Sequence, residues 1–145
     1  MQNKKVSFHY LDVKFFFKNR ETVKQFILEL FKREGKKVDT VNYIFCTDEY
    51  LIDLNMEYLN HDTYTDIITF FYSENDQPVL SDIYISIERV KENAVQFQTS
   101  IKNELLRVLF HGALHLCGYK DKKAEEEKLM REKEEYYLKL FNAKH

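Results

Sequence analysis

Tryptophan is absent from this 145-residue chain; proline occurs once, glycine three times and cysteine twice. So little glycine and proline excludes collagen-like and low-complexity architectures and long flexible linkers. Two cysteines, Cys46 and Cys117, are too few for a disulfide framework, so a reducing, cytoplasmic compartment is expected. No apolar run approaches the ~20 residues of a membrane span, and the opening MQNKKVSFHY lacks the apolar stretch of a secretory signal. A net charge of −2 argues against a generic nucleic-acid-coating protein. The charge is nevertheless uneven. Residues 38–82 contain no Lys or Arg and ten Asp or Glu, whereas residues 1–37 carry ten Lys or Arg against four acids. Such a split can give one face suited to a polyanion and another that is not.

Aromatic residues are plentiful, with 12 Phe and 10 Tyr in a chain that is 44% hydrophobic. That composition describes a packed globular protein, and 1–145 reads as a single domain able to bury roughly 68–70% of the surface its unfolded chain exposes. Residues 6–17 are β-prone and extended. Residues 20–34 place Val23, Phe26, Ile27, Leu30 and Phe31 at helical spacing, with Gly35 as the cap. A strand over 41–46 leads through Thr47 or Asp48 into a helix carrying Tyr50, Leu51, Leu54 and Tyr58. Strands follow over 65–72 and 82–87, separated by a loop over 73–80 that holds Pro78. Helices are expected from there on. The first is marked by Val90, Ala94, Val95 and Phe97. The second, capped by Thr99 or Ser100, carries Ile101, Leu105, Val108, Leu109, Leu114 and Leu116. The last begins near Ala124 and aligns Met130, Tyr137 and Phe141, its charged residues reading as solvent-facing surface. This order predicts an α+β fold, a small mixed four-stranded sheet covered by about five helices.

The chemistry concentrates between His111 and Asp121. His111 and His115 stand four apart in a helical run, so both imidazoles leave one face and can reach one metal at ~2.0–2.1 Å. Gly118 breaks the helix, and Asp121 lies where the chain can fold back toward the pair. Two histidines and a carboxylate leave a coordination position for water, the arrangement of a catalytic zinc rather than a structural one. Such a pair also occurs in ordinary packing and on ordinary surfaces. A zinc protease with an HExxH motif needs Glu after its first His, and Gly112 occupies that position.

The stretch His111-Gly112-Ala113-Leu114-His115-Leu116-Cys117-Gly118-Tyr119 resembles the HGxLHLxGY signature of the YbeY family, bacterial metal-dependent endoribonucleases associated with ribosomal RNA maturation. Glu126, Glu127 and Met130 fit the helix that follows it. Leu54-Asn55-Met56-Glu57-Tyr58, Asp62 and Thr65-Asp66-Ile67-Ile68-Thr69-Phe70 are similar to the upstream LNxxYRxxDxPTDVLSF, and Ser81-Asp82-Ile83-Tyr84-Ile85-Ser86 to GDIxIS. The resemblance implies one zinc per chain held by His111, His115 and Asp121, with His111 part of the Lewis-acid centre. It implies a single-strand-specific endoribonuclease acting on ribosomal RNA precursors, with the ribosome or ribosome-associated proteins as partners and no membrane. Two alternatives remain open: a metal-dependent hydrolase of a non-nucleic substrate, and a ribosome-associated binding protein with a structural zinc.

The chain departs from the pattern in ways that bear on chemistry. Asp121 stands where the family usually has a third His, adding a negative charge that makes a bound metal a weaker Lewis acid. Leu59 replaces an arginine that in the family is thought to serve the phosphate. Ser81 replaces Gly and Tyr64 replaces Pro. Positive charge for RNA is then expected from Lys32, Arg33, Lys36 and Lys37. Asn60 and His61 read as loop residues beside position 59, and Asp66 as a cap or a buried hydrogen-bonding residue. Glu104, two turns before His111, is a candidate to orient that imidazole or else an exposed helix residue.

Overall fold

A computed structural model describes residues 5–15, 18–59, 65–74 and 76–145. Nine elements follow in order: β1 (Val6–Tyr10), α1 (Arg20–Arg33), β2 (Val38–Cys46), α2 (Asp48–Leu59), β3 (Ile67–Phe71), β4 (Val79–Ser86), α3 (Ile87–Gln96), α4 (Ile101–Leu116) and α5 (Ala124–Lys144). The strands form one mixed sheet in the order β1-β2-β4-β3, as the α+β reading expects. β1 and β2 are parallel, as are β2 and β4, while β3 pairs antiparallel with β4 and forms an edge.

Alternation along the strands decides which face receives which helix. Val41, Tyr43 and Phe45 of β2 and Ile83 and Ile85 of β4 enter the main core with α1, α4 and α5. Their neighbours point the other way, where α2 alone contributes Leu51 to a smaller cluster with Cys46 and Ile68. Leu11, Leu54, Phe70 and Tyr84 pack around that cluster, and polar side chains occupy another part of the face. His9, Asn42, Asp82 and Tyr72 form a ladder across it, with contacts of 3.3, 3.1 and 3.1 Å. α4 is the central helix: Leu105, Leu106, Leu109, Phe110, Ala113 and Leu114 are all buried. The Tyr43 hydroxyl donates to the Leu109 carbonyl at 2.9 Å, fixing α4 on the sheet.

Several boundaries differ from the sequence reading. The first strand ends at Tyr10 rather than running to 17, because Asp12 takes a positive φ of 55° and turns the chain. β2 begins at Val38 and β4 at Val79, both earlier than periodicity suggests, since a strand end paired on a neighbour needs no apolar residue of its own. Thr47 and Ser100 are the caps, accepting the amides of Tyr50 and Asn103 at 3.1 and 3.0 Å. Val95 and Phe97 do not join the core; they are 80% and 58% exposed, and Val90 and Ala94 alone of that set are buried.

Candidate active site

Three residues of α4 at fourfold spacing, Arg107, His111 and His115, form one wall of a cavity of about 470 Å³. Asp121 borders it from beyond the helix, and Asn55 and Asp66 face them. The end of α4 explains how Asp121 arrives. Gly118 adopts φ 107°, where an L side chain would be strained, and its amide bonds to the His115 carbonyl at 3.1 Å. The Tyr119 amide then returns to the Leu114 carbonyl at 3.1 Å, completing the paired bonds of a left-handed helix stop.

The same reversal fixes His115. Its Nδ1 lies 3.0 Å from the Tyr119 carbonyl, which can only accept, so Nδ1 carries the hydrogen and Nε2 keeps a lone pair. His111 is fixed by Glu134 of α5, whose Oε2 accepts from Nδ1 at 2.6 Å, while its Nε2 lies 3.2 Å from Asp121 Oδ2. The rings lie 6.4 Å apart and nearly parallel, 6° between planes. Each imidazole is therefore held through Nδ1, the condition under which Nε2 serves as a metal donor. Two such nitrogens and a carboxylate on one cavity are the donor chemistry of a divalent transition metal. Among the described residues no three His, Cys, Asp or Glu side chains are gathered closely enough to form a finished metal site in this conformation.

Glu104 does not orient His111. Seven residues rise about 10 Å along a helix, too far for a direct contact, and Arg107 intercepts the carboxylate. Its Nε and Nη2 donate to Glu104 at 2.9 and 2.6 Å, and its Nη1 donates to Glu134 at 2.9 Å. Glu104 is only 2% exposed and Glu134 4%, so Arg107 lies between two buried carboxylates, the second of which holds His111. Burial opposes charge on His111, but the hydrogen bond and charge of Glu134 overcome it, with Asp121 and Asp66 adding, and its pKa is raised. Burial likewise pushes Glu134 up, and His111 and Arg107 more than reverse this. Asp66 is raised by burial against the opposing charges of Arg107 and His111, and accepts from Asn93 Nδ2 at 3.3 Å.

A second set of bonds anchors the loop from outside. Glu34, just past α1, accepts from the Tyr119 hydroxyl at 2.8 Å and from the Tyr137 hydroxyl, and pairs with Lys133 at 3.5 Å. Burial chiefly pushes the neighbouring Cys117 thiol up to about 12, which disfavours the thiolate. Gly112 explains the absent protease glutamate. A Cβ there would lie 3.0 Å from Ile67 Cδ1 and 3.2 Å from Ile83 Cδ1, against the sheet.

The sequence reading missed Arg107, Glu134 and Glu34. Arg107 shares the helical face of His111 and His115, and Glu134 falls in the series Met130, Tyr137, Phe141; both spacings were available as signals. Glu34 carries none, being 85 and 103 residues from its tyrosines. Of the four expected RNA-binding cations, Lys36 lines a cavity that adjoins the site, while Arg33 pairs with Glu29 at 3.3 Å. Lys32 lies in the last turn of α1 and Lys37 precedes β2. Leu59 is the last residue of α2, and Asn60, His61, Asp62 and Tyr64 lie outside the described residues. Ser81, in place of glycine, donates to the Phe70 carbonyl at 2.7 Å and ties β4 to β3.

The family model described as Endoribonuclease YbeY matches residues 5–142. The chain belongs to the endoribonuclease YbeY family. A Flavobacterium psychrophilum protein named endoribonuclease YbeY is 48% identical over 139 residues, 96% of this chain and 98% of its own. A Cytophaga hutchinsonii protein of the same name is 44% identical over 140 residues, 97% and 98% of the two chains. The solution structure of a Thermotoga maritima protein superposes with a TM-score of 0.66 at 31% identity, covering 94% of this chain and 90% of that one. This YbeY-family chain thus shares the fold of that solved structure and nearly the full length of its named relatives.

Proposed function

We propose that this protein is a metal-dependent endoribonuclease that cuts single-stranded RNA, with one zinc ion held by His111, His115 and Asp121. The observation that carries the reading is the fixing of both imidazoles through Nδ1, which leaves both Nε2 atoms and the Asp121 carboxylate to one cavity. A divalent metal bound there supplies Lewis-acid polarisation of a phosphate oxygen. The protein supplies orientation. Glu134 holds His111, the Tyr119 carbonyl holds His115, and Arg107 holds Glu134. Three of the five guanidinium N–H groups of Arg107 serve Glu104 and Glu134, and Asp66 at 3.8 Å is beyond hydrogen-bond reach. Two N–H groups remain for a phosphate oxygen, in a cavity whose described lining contains no other Lys or Arg. Arg107 thus provides on α4 the guanidinium that position 59 lacks.

The reading places this single-domain enzyme in the cytoplasm, acting on ribosomal RNA precursors with the ribosome or its associated proteins as partners. No helix among the described residues is long and apolar enough to cross a membrane. Incubation of the purified protein with single-stranded and duplex RNA, with zinc and with chelator, tests it. Zinc-dependent cleavage of the single strand is expected, with one zinc per chain by elemental analysis and both properties lost in His115→Ala. Cleavage that survives chelation would sink the metal assignment, and no cleavage of any RNA would favour a non-nucleic substrate.

A further inference from the structure

The cavity of the two imidazoles does not end at His115. A second cavity of about 630 Å³ adjoins it, with Thr69 and His115 lining both. The groove follows β3, the edge strand. Ile67 borders the first cavity, Thr69 both and Phe71 the second, on the alternating face of the strand, so each step spans about 7 Å. The opposite wall runs in the same sense along α4, from Arg107 through His115 to the turn at Gly118.

The two halves differ in chemistry. The first has a guanidinium, two imidazoles and the carboxylates of Asp66 and Asp121; with Asp121 and both imidazoles on a divalent metal, as proposed above, it suits a phosphodiester. The second has the ring of Phe71, 47% exposed, with Val79 and Leu116 beside it and the carboxylates of Glu74 and Asp76 against one ammonium, that of Lys36. Two carboxylates facing one cation disfavour a phosphate. They do accept hydrogen bonds from exocyclic amino groups, and an aromatic face stacks on any base.

We propose that this second cavity is a nucleobase subsite, taking the unpaired base next to the scissile phosphate, stacked on Phe71 and read by Glu74 and Asp76. The proposal rests on the endoribonuclease reading. It gives single-strand selectivity a structural origin, because a base in a duplex has both faces stacked and its pairing edge occupied. It also favours adenine, cytosine or guanine over uracil, which lacks an amino group.

The test uses the zinc-loaded protein and short single-stranded oligoribonucleotides carrying 2-aminopurine at each position around the cleaved bond. Binding to the native protein should quench the fluorescence at one position, Phe71→Tyr should preserve the quench, and Phe71→Ala should abolish it. Phe71→Ala should raise KM about tenfold, and by more than it lowers kcat. Cytosine at that position should be preferred to uracil, and Glu74→Gln combined with Asp76→Asn should erase the preference. Quenching by Phe71→Ala equal to the native protein would overturn the subsite, whatever the cleavage rate. Native protein that binds and quenches but cuts no RNA would instead overturn the endoribonuclease reading alone.

Discussion

Glu134 on α5 accepts the Nδ1 hydrogen of His111 on α4 at 2.6 Å, across 23 positions of sequence. The imidazole proposed as a metal ligand is thereby oriented by a residue from the highly charged helix α5. Carboxylates in this role typically contribute 10- to 100-fold in metal affinity. Glu134→Ala is expected to weaken zinc binding by about that factor, measured by competition with a chromophoric chelator. An unchanged dissociation constant would remove Glu134 from the site.

The same pair gives the metal-free protein a pH signature. The raised His111 contributes stability that is full below the ordinary imidazole pKa and is lost as pH rises through the raised value. The lowered Glu134 contributes stability that is present above the ordinary carboxylate pKa and is lost as pH falls through the lowered value. Melting temperature of the metal-free protein should therefore peak between these ranges. Zinc affinity should fall as protons compete for Nε2 below the raised His111 pKa. Glu134→Gln should flatten the alkaline limb of the melting profile; a profile identical to the native one would refute the coupling.

Arg107 separates two carboxylates that are almost fully buried. Removing it leaves Glu104 without its forked partner in the core, and a broken buried pair costs about 3–5 kcal/mol. Arg107→Met should show that loss in urea unfolding, and the double variant Glu104→Met with Arg107→Met should recover most of it. Equal losses in the single and double variants would mean that the damage does not come from the stranded Glu104 charge.

At Gly112 α4 lies so close to the sheet that a side chain would need Ile67 and Ile83 to shift. Alanine there meets Ile67 and Ile83 at 3.0–3.3 Å, and overpacking of this kind costs about 1–3 kcal/mol. Gly112→Ala should lower the urea midpoint accordingly. Gly112→Glu, which writes HExxH into the sequence, should unfold the protein rather than create a peptidase, and soluble folded Gly112→Glu would contradict the packing.

Glu34 holds Tyr119 from outside the cavity, and Tyr119 in turn holds His115. Loss of charged hydrogen bonds costs about 1.5–3 kcal/mol each at most. Glu34→Ala should show stability loss on that scale together with zinc affinity reduced several-fold, because the loop bearing Asp121 loosens. Lost stability with unchanged zinc affinity would make Glu34 a purely structural tie.

The sequence was informative wherever the physics is local. Helical spacing placed His111 and His115 on one face, and Gly118 predicted the reversal of chain that brings Asp121 to the same cavity. Helix starts were legible at Thr47 or Asp48 and at Thr99 or Ser100, where the hydroxyls of Thr47 and Ser100 meet amides three residues on. The α+β class followed from the order of elements. Tertiary structure alone decided which side chains support these. Glu104 has the right helix and the wrong distance, and Arg107 turns its charge toward Glu134. Glu134 resembles its solvated neighbours in composition, and only the packing of α5 on α4 buries it. Val95, on the outward side of α3, and Phe97, at its C-terminal cap, have apolar side chains left in water. Glu34 reaches two tyrosines far along the chain through contacts that no local period encodes. The groove beside β3 exists because the edge strand and α4, distant in sequence, are brought alongside one another. Spacing along a helix fixes direction over one or two turns, whereas the partner opposite is fixed only when distant segments are packed together.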